Sequence, residues 1–193
     1  MRIQAGSARG MRLKGAPSAS VRPSSNAMRE TLFNVLQADV PDCAFLDLFA
    51  GTGSVGIEAL SRGAGSCAFI EKNATCVRAI ERNLALTGLA GRARVVRQDV
   101  ARFLDMLARE PTGRFDIIFA DPPYVYPHIW DVAARLLEAD VGAHDDTVVV
   151  IQHHRSVDLS ARWPPSQAKE FGDSRMTFYW DLPKLRRGGN AGS

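Results

Sequence analysis

Phe45-Leu-Asp-Leu-Phe-Ala-Gly-Thr-Gly-Ser-Val-Gly56 joins a short apolar run to three spaced glycines. Residues 44–50 carry one acid, Asp47, and otherwise suit a strand buried on both faces. Gly51, Gly53 and Gly56 spell Gly-x-Gly-x-x-Gly, and residues 54–60 read as the start of a helix. A tight glycine turn between strand and helix lets a ligand approach the backbone closely.

The spacing is that of a dinucleotide fingerprint. Glu71 lies 20 residues past Gly51, at the end of the next apolar run, residues 67–70. An acid there can take two ribose hydroxyls, which suits NAD and S-adenosylmethionine alike. Asp47 separates the two. It sits four residues before Gly51, where a pyrophosphate gains nothing from another anion. A ligand bearing an ammonium and a sulfonium gains from it. A glycine turn without a ligand is the weaker reading, because it leaves Glu71 unexplained.

At 193 residues and 46% hydrophobic content, the chain has the size of one domain with room for a core. No apolar run reaches the roughly 18 residues of a membrane span, and the N-terminus is too polar for a signal peptide. Cys43, Cys67 and Cys76 are scattered and odd in number. They read as small core residues in a reducing cytoplasm, with neither a metal site nor a disulfide framework.

The net charge of +3 hides an asymmetry. Residues 1–30 carry six Lys/Arg against one acid, residues 31–183 carry 15 against 20, and residues 184–193 carry three against none. Basic ends of this kind usually serve a polyanion. The organisation expected is a basic hairpin and loop over residues 1–23, a main domain over 24–183 and a basic flexible tail over 184–193.

In the hairpin, residues 2–5 and 11–14 alternate around a turn at 6–10, with Arg2 and Gln4, and Arg12 and Lys14, on one face. Ser25 or Asn26 can cap a helix over 27–38, whose Met28, Leu32, Val35 and Leu36 share a face that leaves Arg29 elsewhere. Strands are expected at 44–50, 66–71, 93–97, 115–120 and 147–152. Helices are expected at 55–62, 74–87, 100–109 and 127–138. Residues 168–171 and 176–181 read as a closing hairpin joined through Gly172-Asp173-Ser174. The fold class is α/β: a Rossmann-like, doubly wound, mostly parallel sheet with an antiparallel C-terminal edge hairpin and a small basic N-terminal hairpin.

The fourth strand runs straight into Asp121-Pro122-Pro123-Tyr124. In a doubly wound sheet the first and fourth strands meet at the switch point where ligands bind, so this tetrapeptide should face the glycine loop. An exocyclic amine on a base is a poor nucleophile, because its lone pair is delocalised into the ring. Two acceptors aimed at its N–H bonds, the Asp121 carboxylate and the Pro122 carbonyl, can localise that pair. Pro122 and Pro123 stiffen the loop and add no competing N–H. Tyr124 offers a face for stacking a flipped base, worth about 1–3 kcal/mol. A plain Pro-Pro turn accounts for neither the acid nor the aromatic.

Asp121-Pro-Pro-Tyr124 together with Asp47-Leu-Phe-Ala-Gly-Thr-Gly53 resembles the S-adenosylmethionine-dependent amino-methyltransferases. Arg22-Pro-Ser-Ser-Asn-Ala-Met-Arg-Glu-Thr-Leu-Phe-Asn34, Leu60-Ser-Arg-Gly-Ala64 and Glu71-Lys72 narrow the resemblance to the bacterial 16S rRNA guanine-N2 methyltransferase family. The similarity runs from Arg2 to about Tyr179. It implies that Asp47, Phe49, Ala50, Gly51, Thr52 and Gly53 hold the methionine part of S-adenosylmethionine. Glu71, beside Lys72, would hold the ribose, and Asp99 with Val100 the adenine edge. Arg2, Arg9, Arg12, Lys14, Arg22 and Arg29 would lie near RNA. Asp99 also fits as a helix N-cap. The family usually has Thr and Asp where Ser24 and Asn26 stand, and tends to have Glu after the fifth strand, where this chain has Gln152-His153-His154. The histidine pair lacks two further ligands at useful spacing and reads as solvated surface.

The function expected is methyl transfer from S-adenosylmethionine to the N2 amine of a guanine in 16S rRNA of the small ribosomal subunit. The step is an in-line displacement that needs no metal. Without an exposed apolar stripe, a monomer is expected. Three rivals share parts of this pattern. An adenine-N6 methyltransferase would use the same tetrapeptide but often carries a separate recognition domain. An NAD-dependent oxidoreductase leaves Asp47 and Asp121 unexplained. A non-catalytic RNA-binding assembly factor explains only the basic ends.

Overall fold

A computed structural model describes residues 1–15, 26–109, 114–123, 126–139 and 141–188. Residues 16–25, which include the expected loop, Arg22 and Ser24, together with Tyr124 and residues 189–193, lie outside the described residues. The chain divides into two compact units, Met1–Val100 and Ala101–Ser193. Within the first unit the strands lie in the order third, second, first, and within the second unit fourth, fifth, seventh, sixth.

In the first unit, β1 (Ala44–Leu48), β2 (Ser66–Glu71) and β3 (Ala93–Arg97) are parallel, with Asp47 beside Phe69 and Glu71 beside Arg97. β1 ends two residues earlier than its apolar run, because Phe49 turns to a φ of 62°. Helices α1 (Asn26–Val35), α2 (Ser54–Ser61) and α3 (Ala74–Thr87) complete the unit. α3 begins on the Asn73 side chain, which accepts from Thr75 N at 2.8 Å, and ends on Gly88 at a φ of 71°.

The expected N-terminal hairpin is present but short: an antiparallel bridge of Arg2 with Arg12, with Ile3 N donating to the Met11 carbonyl at 3.0 Å and Leu13 N to the Met1 carbonyl at 2.9 Å. Its alternation holds: Ile3 and Leu13 are buried, while Arg2, Arg12 and Lys14 are exposed. The ladder stays short because its donors go elsewhere. Gln4 N and Ala5 N donate to the Glu58 carboxylate at 2.9 and 3.0 Å, and Ala8 N to Ser61 Oγ at 3.0 Å. Gly6 fits against α2 only without a side chain, since a Cβ would lie 1.7 Å from the Ser61 carbonyl oxygen. The ribbon is thus packed into the first unit.

In the second unit, α4 (Val100–Arg109, its first residue shared with the first unit) precedes β4 (Ile117–Ala120), α5 (Ile129–Leu137) and β5 (Val148–His154). β6 (Gln167–Phe171) and β7 (Ser174–Tyr179) form the antiparallel edge, closed by the turn at Gly172 and Asp173. Ile129, Val132, Ala133, Leu136 and Leu137, spaced along one face of α5, are all buried. Arg135 ties α5 to α4 through Asp105 at 2.7 Å and the Ala101 carbonyl at 3.1 Å. A further helix, α6 (Leu182–Gly188), occupies the first half of the segment expected as a flexible tail.

Candidate active site

In the first unit the glycine loop is held by two carboxylates. Asp47 is 2% exposed, and its Oδ2 accepts from Gly56 N at 2.9 Å. Gly53 caps α2 without a side chain, so Asp47 supplies the carboxylate that a capping residue would have offered. Glu71 Oε2 accepts from Gly51 N at 2.9 Å, and its Oε1 from Asn73 N at 2.7 Å. Each carboxylate oxygen has a second lone pair, so Glu71 can hold the loop and still accept from a ligand diol.

Three backbone choices shape the turn. Phe49, Gly51 and Gly53 have φ values of 62°, 55° and 79°. A phenylalanine in that region is strained and marks a backbone held in place by its surroundings. Gly56 serves packing: a Cβ there would stand 2.3 Å from Phe69 Cε1 and 2.6 Å from Cys67 Sγ. Ala50 and Thr52 are buried, and the Thr52 carbonyl accepts from Asn83 Nδ2 at 3.1 Å. Lys72 and Asp99 form an exposed ion pair at 3.9 Å, beside the buried Val100.

Asn83 was not among the residues expected from sequence. It is fully buried on α3 and also bonds both backbone groups of Lys14, at 2.9 and 3.1 Å. One side chain therefore joins the end of the basic ribbon to the glycine loop. Its signal was an amide on the apolar face of Ile80 and Leu84, where an unpaired amide would be costly.

Of the basic residues expected at RNA, Arg2, Arg9, Arg12 and Lys14 are exposed. Arg29 is corrected: it is 1% exposed and paired with Glu58, so its guanidinium serves the interior. Its helical position put it on the covered face once the ribbon packed over α1 and α2.

In the second unit, β4 ends at Ala120, with Asp121 half-buried, Pro122 buried and Pro123 exposed. The expectation that His153 and His154 are solvated is corrected for His153, while His154 is partly exposed. β5 continues through both, and His153 is 4% exposed. Its Nδ1 donates to the His154 carbonyl at 3.0 Å, its Nε2 has no partner, and burial pushes its pKa down. His154 Nδ1 lies 2.6 Å from Ser156 Oγ. Among the described residues no cluster of acids, histidines and cysteines could hold a metal, and no helix is long and apolar enough to cross a membrane. All three cysteines are buried; burial pushes the thiols of Cys67 and Cys76 up, away from nucleophilic use.

Known proteins bear on this geometry. The ribosomal RNA small subunit methyltransferase D of Escherichia coli K12 is 36% identical over 182 residues, covering 93% of this chain and 89% of the relative. A hypothetical protein of Thermus thermophilus superposes with a TM-score of 0.81 at 34% identity, covering 93% of this chain and 99% of the other. A T. thermophilus 16S rRNA N2 G1207 methyltransferase, solved with AdoMet and guanosine, shares the fold at a TM-score of 0.66 and 22% identity, over 86% of this chain and 44% of its own. The model of the family described as Conserved hypothetical protein 95 matches residues 1–180, and this chain belongs to that family.

Proposed function

We propose that this chain is a methyltransferase that uses S-adenosylmethionine to methylate the exocyclic N2 of a guanine in 16S rRNA of the small ribosomal subunit. The observation that carries the reading is the double anchoring of the glycine loop. Asp47 holds the start of α2, and Glu71 holds Gly51 while keeping lone pairs for a ribose diol. The similarity to an rRNA small subunit methyltransferase D supports the substrate class.

The residues take the following roles. Glu71 accepts from the ribose hydroxyls, with Lys72 at its side. Asp99 and Val100 border the adenine edge. Phe49, Ala50, Gly51, Thr52 and Gly53 surround the methionine part. Asp47 is buried against Gly56, so it acts through its charge and through the loop it holds. The bound cofactor supplies a methyl group on a sulfonium, which is already a good leaving group. Asp121 and the Pro122 carbonyl accept from the two N–H bonds of the amine and localise its lone pair. Pro123 stiffens the approach, and Tyr124 stacks on the flipped base. Positioning supplies most of the rate. Arg2, Arg9, Arg12, Lys14 and Arg22 attract the RNA backbone. A ribosomal substrate implies a cytoplasmic enzyme, acting as a monomer without a metal.

The test is methyl transfer from labelled S-adenosylmethionine to small subunits lacking the modification, to their naked rRNA and to duplex DNA, followed by nucleoside analysis. N2-methylguanosine from subunit or rRNA is expected. Asp121→Ala should abolish it while RNA binding is largely kept. N6-methyladenine would keep the mechanism and replace the substrate. No transfer at all, with Asp121→Ala like wild type in cells, would leave a binding protein.

A further inference from the structure

β4 and β5 are parallel, in the register Ile117 with Val148, Ile118 with Val149, Phe119 with Val150 and Ala120 with Ile151. Side-by-side residues of parallel strands point to one face, and the face alternates at each step. Continued one step past the last pair, the same alternation sets Asp121 beside Gln152, on the face of Phe119 and Val150. Neighbouring strands lie about 4.8 Å apart, so a carboxylate and a carboxamide rise together where the two strands end. The ladder stops there for a covalent reason. Val148 N donates to the Asp116 carbonyl at 2.8 Å, and the alternation makes residue 122 the next donor on β4. Residue 122 is a proline and has no N–H.

Gln152 is 5% exposed, and its Oε1 is buried without a hydrogen-bond partner. A buried unpaired acceptor is costly and persists in native proteins where something else completes it. The torsion that turns a carboxamide is broad and soft, so a small rotation presents the oxygen to an entering group.

We infer that Gln152 is a base-recognition residue, its Oε1 accepting from N1–H of the guanine whose N2 amine is held at Asp121. The inference rests on the guanine-N2 reading above. Guanine presents two kinds of donor next to each other, N1–H and the N2 amine, and so calls for two adjacent acceptors. The carboxamide N–H can at the same time donate to O6. Adenine presents an acceptor, N1, beside its amine, and so does 2-aminopurine, which carries the same 2-amine as guanine. Both set a lone pair against Oε1. Asp121 therefore selects an amine, and Gln152 selects which base carries it.

The experiment uses the full chain and small subunits reconstituted on ligated 16S rRNA. The base at the methylated position is either guanine or 2-aminopurine. Wild type should prefer guanine by roughly 10- to 100-fold in rate at low substrate. Gln152→Met should lose the guanine rate by a similar factor, hold the 2-aminopurine rate, and bring the ratio near one. Its S-adenosylmethionine affinity, read by calorimetry, should be unchanged. Gln152→Glu keeps an acceptor and should keep the preference. Equal use of both bases by wild type overturns the inference without any variant, as does an intact preference in Gln152→Met. A failure of wild type to form N2-methylguanosine on the unmodified guanine substrate overturns the function itself. Product formed without base preference overturns only the role of Gln152.

Discussion

Arg29 and Glu58 form an ion pair with both side chains at 0% exposure, Nη1 to Oε2 at 3.9 Å. Glu58 also accepts from Gln4 N, Ala5 N and, at 2.9 Å, Arg62 Nε. Arg29 Nη2 donates to the Arg2 carbonyl at 3.0 Å and to Asn26 Oδ1 at 2.7 Å. Burial pushes the Arg29 pKa down, and the Glu58 anion opposes that shift. The pair is the point at which the basic ribbon, α1 and α2 are fastened together.

Removing one partner of such a pair leaves the other charge buried. Glu58→Ala should cost about 3–5 kcal/mol, whereas the double variant Arg29→Met/Glu58→Leu should recover much of that loss. Urea unfolding of the three proteins checks it. A double variant that loses more than Glu58→Ala alone would show that the two charges are not coupled.

Gly56 has no room for a methyl group. Gly56→Ala should destabilise by about 1–3 kcal/mol through overpacking against Phe69. Adding Phe69→Leu should return part of the loss, because the clash is with the ring edge. Thermal unfolding of the single and double variants reads both effects.

Glu71 holds Gly51 and Asn73 through acceptor oxygens only. In Glu71→Gln one of those N–H groups meets an amide N–H, so the loop loses an anchor and the ribose an acceptor. S-adenosylmethionine affinity should fall by roughly 10- to 100-fold, given about 1.5–3 kcal/mol for a hydrogen bond to a charged group. Calorimetric titration measures it. Unchanged affinity would remove Glu71 from the cofactor site.

His153 makes stability depend on pH in a stated direction. Burial lowers its folded pKa below the ordinary 6.5, and Arg175 and His154 lower it further, against Asp158 and the backbone bond, which raise it. Between the two pKa values the unfolded chain binds more protons, so stability rises with pH there. Its contribution is fully present above 6.5 and is lost as pH falls below that value. His153→Leu should flatten this part of the profile, as measured by urea unfolding at pH 7.5, 6.0 and 5.0. An unchanged slope would assign the dependence to other groups.

The parts legible in the sequence were those whose physics is local. The alternation of apolar runs with helical stripes gave seven strands and the main helices, with β2, β3, α3 and α4 at their observed ends. Glycines at 51 and 53 announced left-handed backbone, and the prolines at 122 and 123 announced the end of a strand. α6 was hidden by its basic composition, which reads equally as a tail.

Partners distant in the chain decided the rest. Whether an arginine faces RNA or the interior depends on where a carboxylate lies. Glu58 is 54 positions from Gln4, and Asn83 is 69 from Lys14. The order of residues was enough for the fold class, the glycine loop with its two acids, and the acid-led tetrapeptide, because backbone φ preference and hydrophobic period act over a few residues. Folding had to settle that Arg29 is an internal cation, that His153 is buried with its pKa pushed down, and that Gln152 follows directly on the last paired residues of β4 and β5. Burial, pairing and register are properties of segments that meet only in the folded chain.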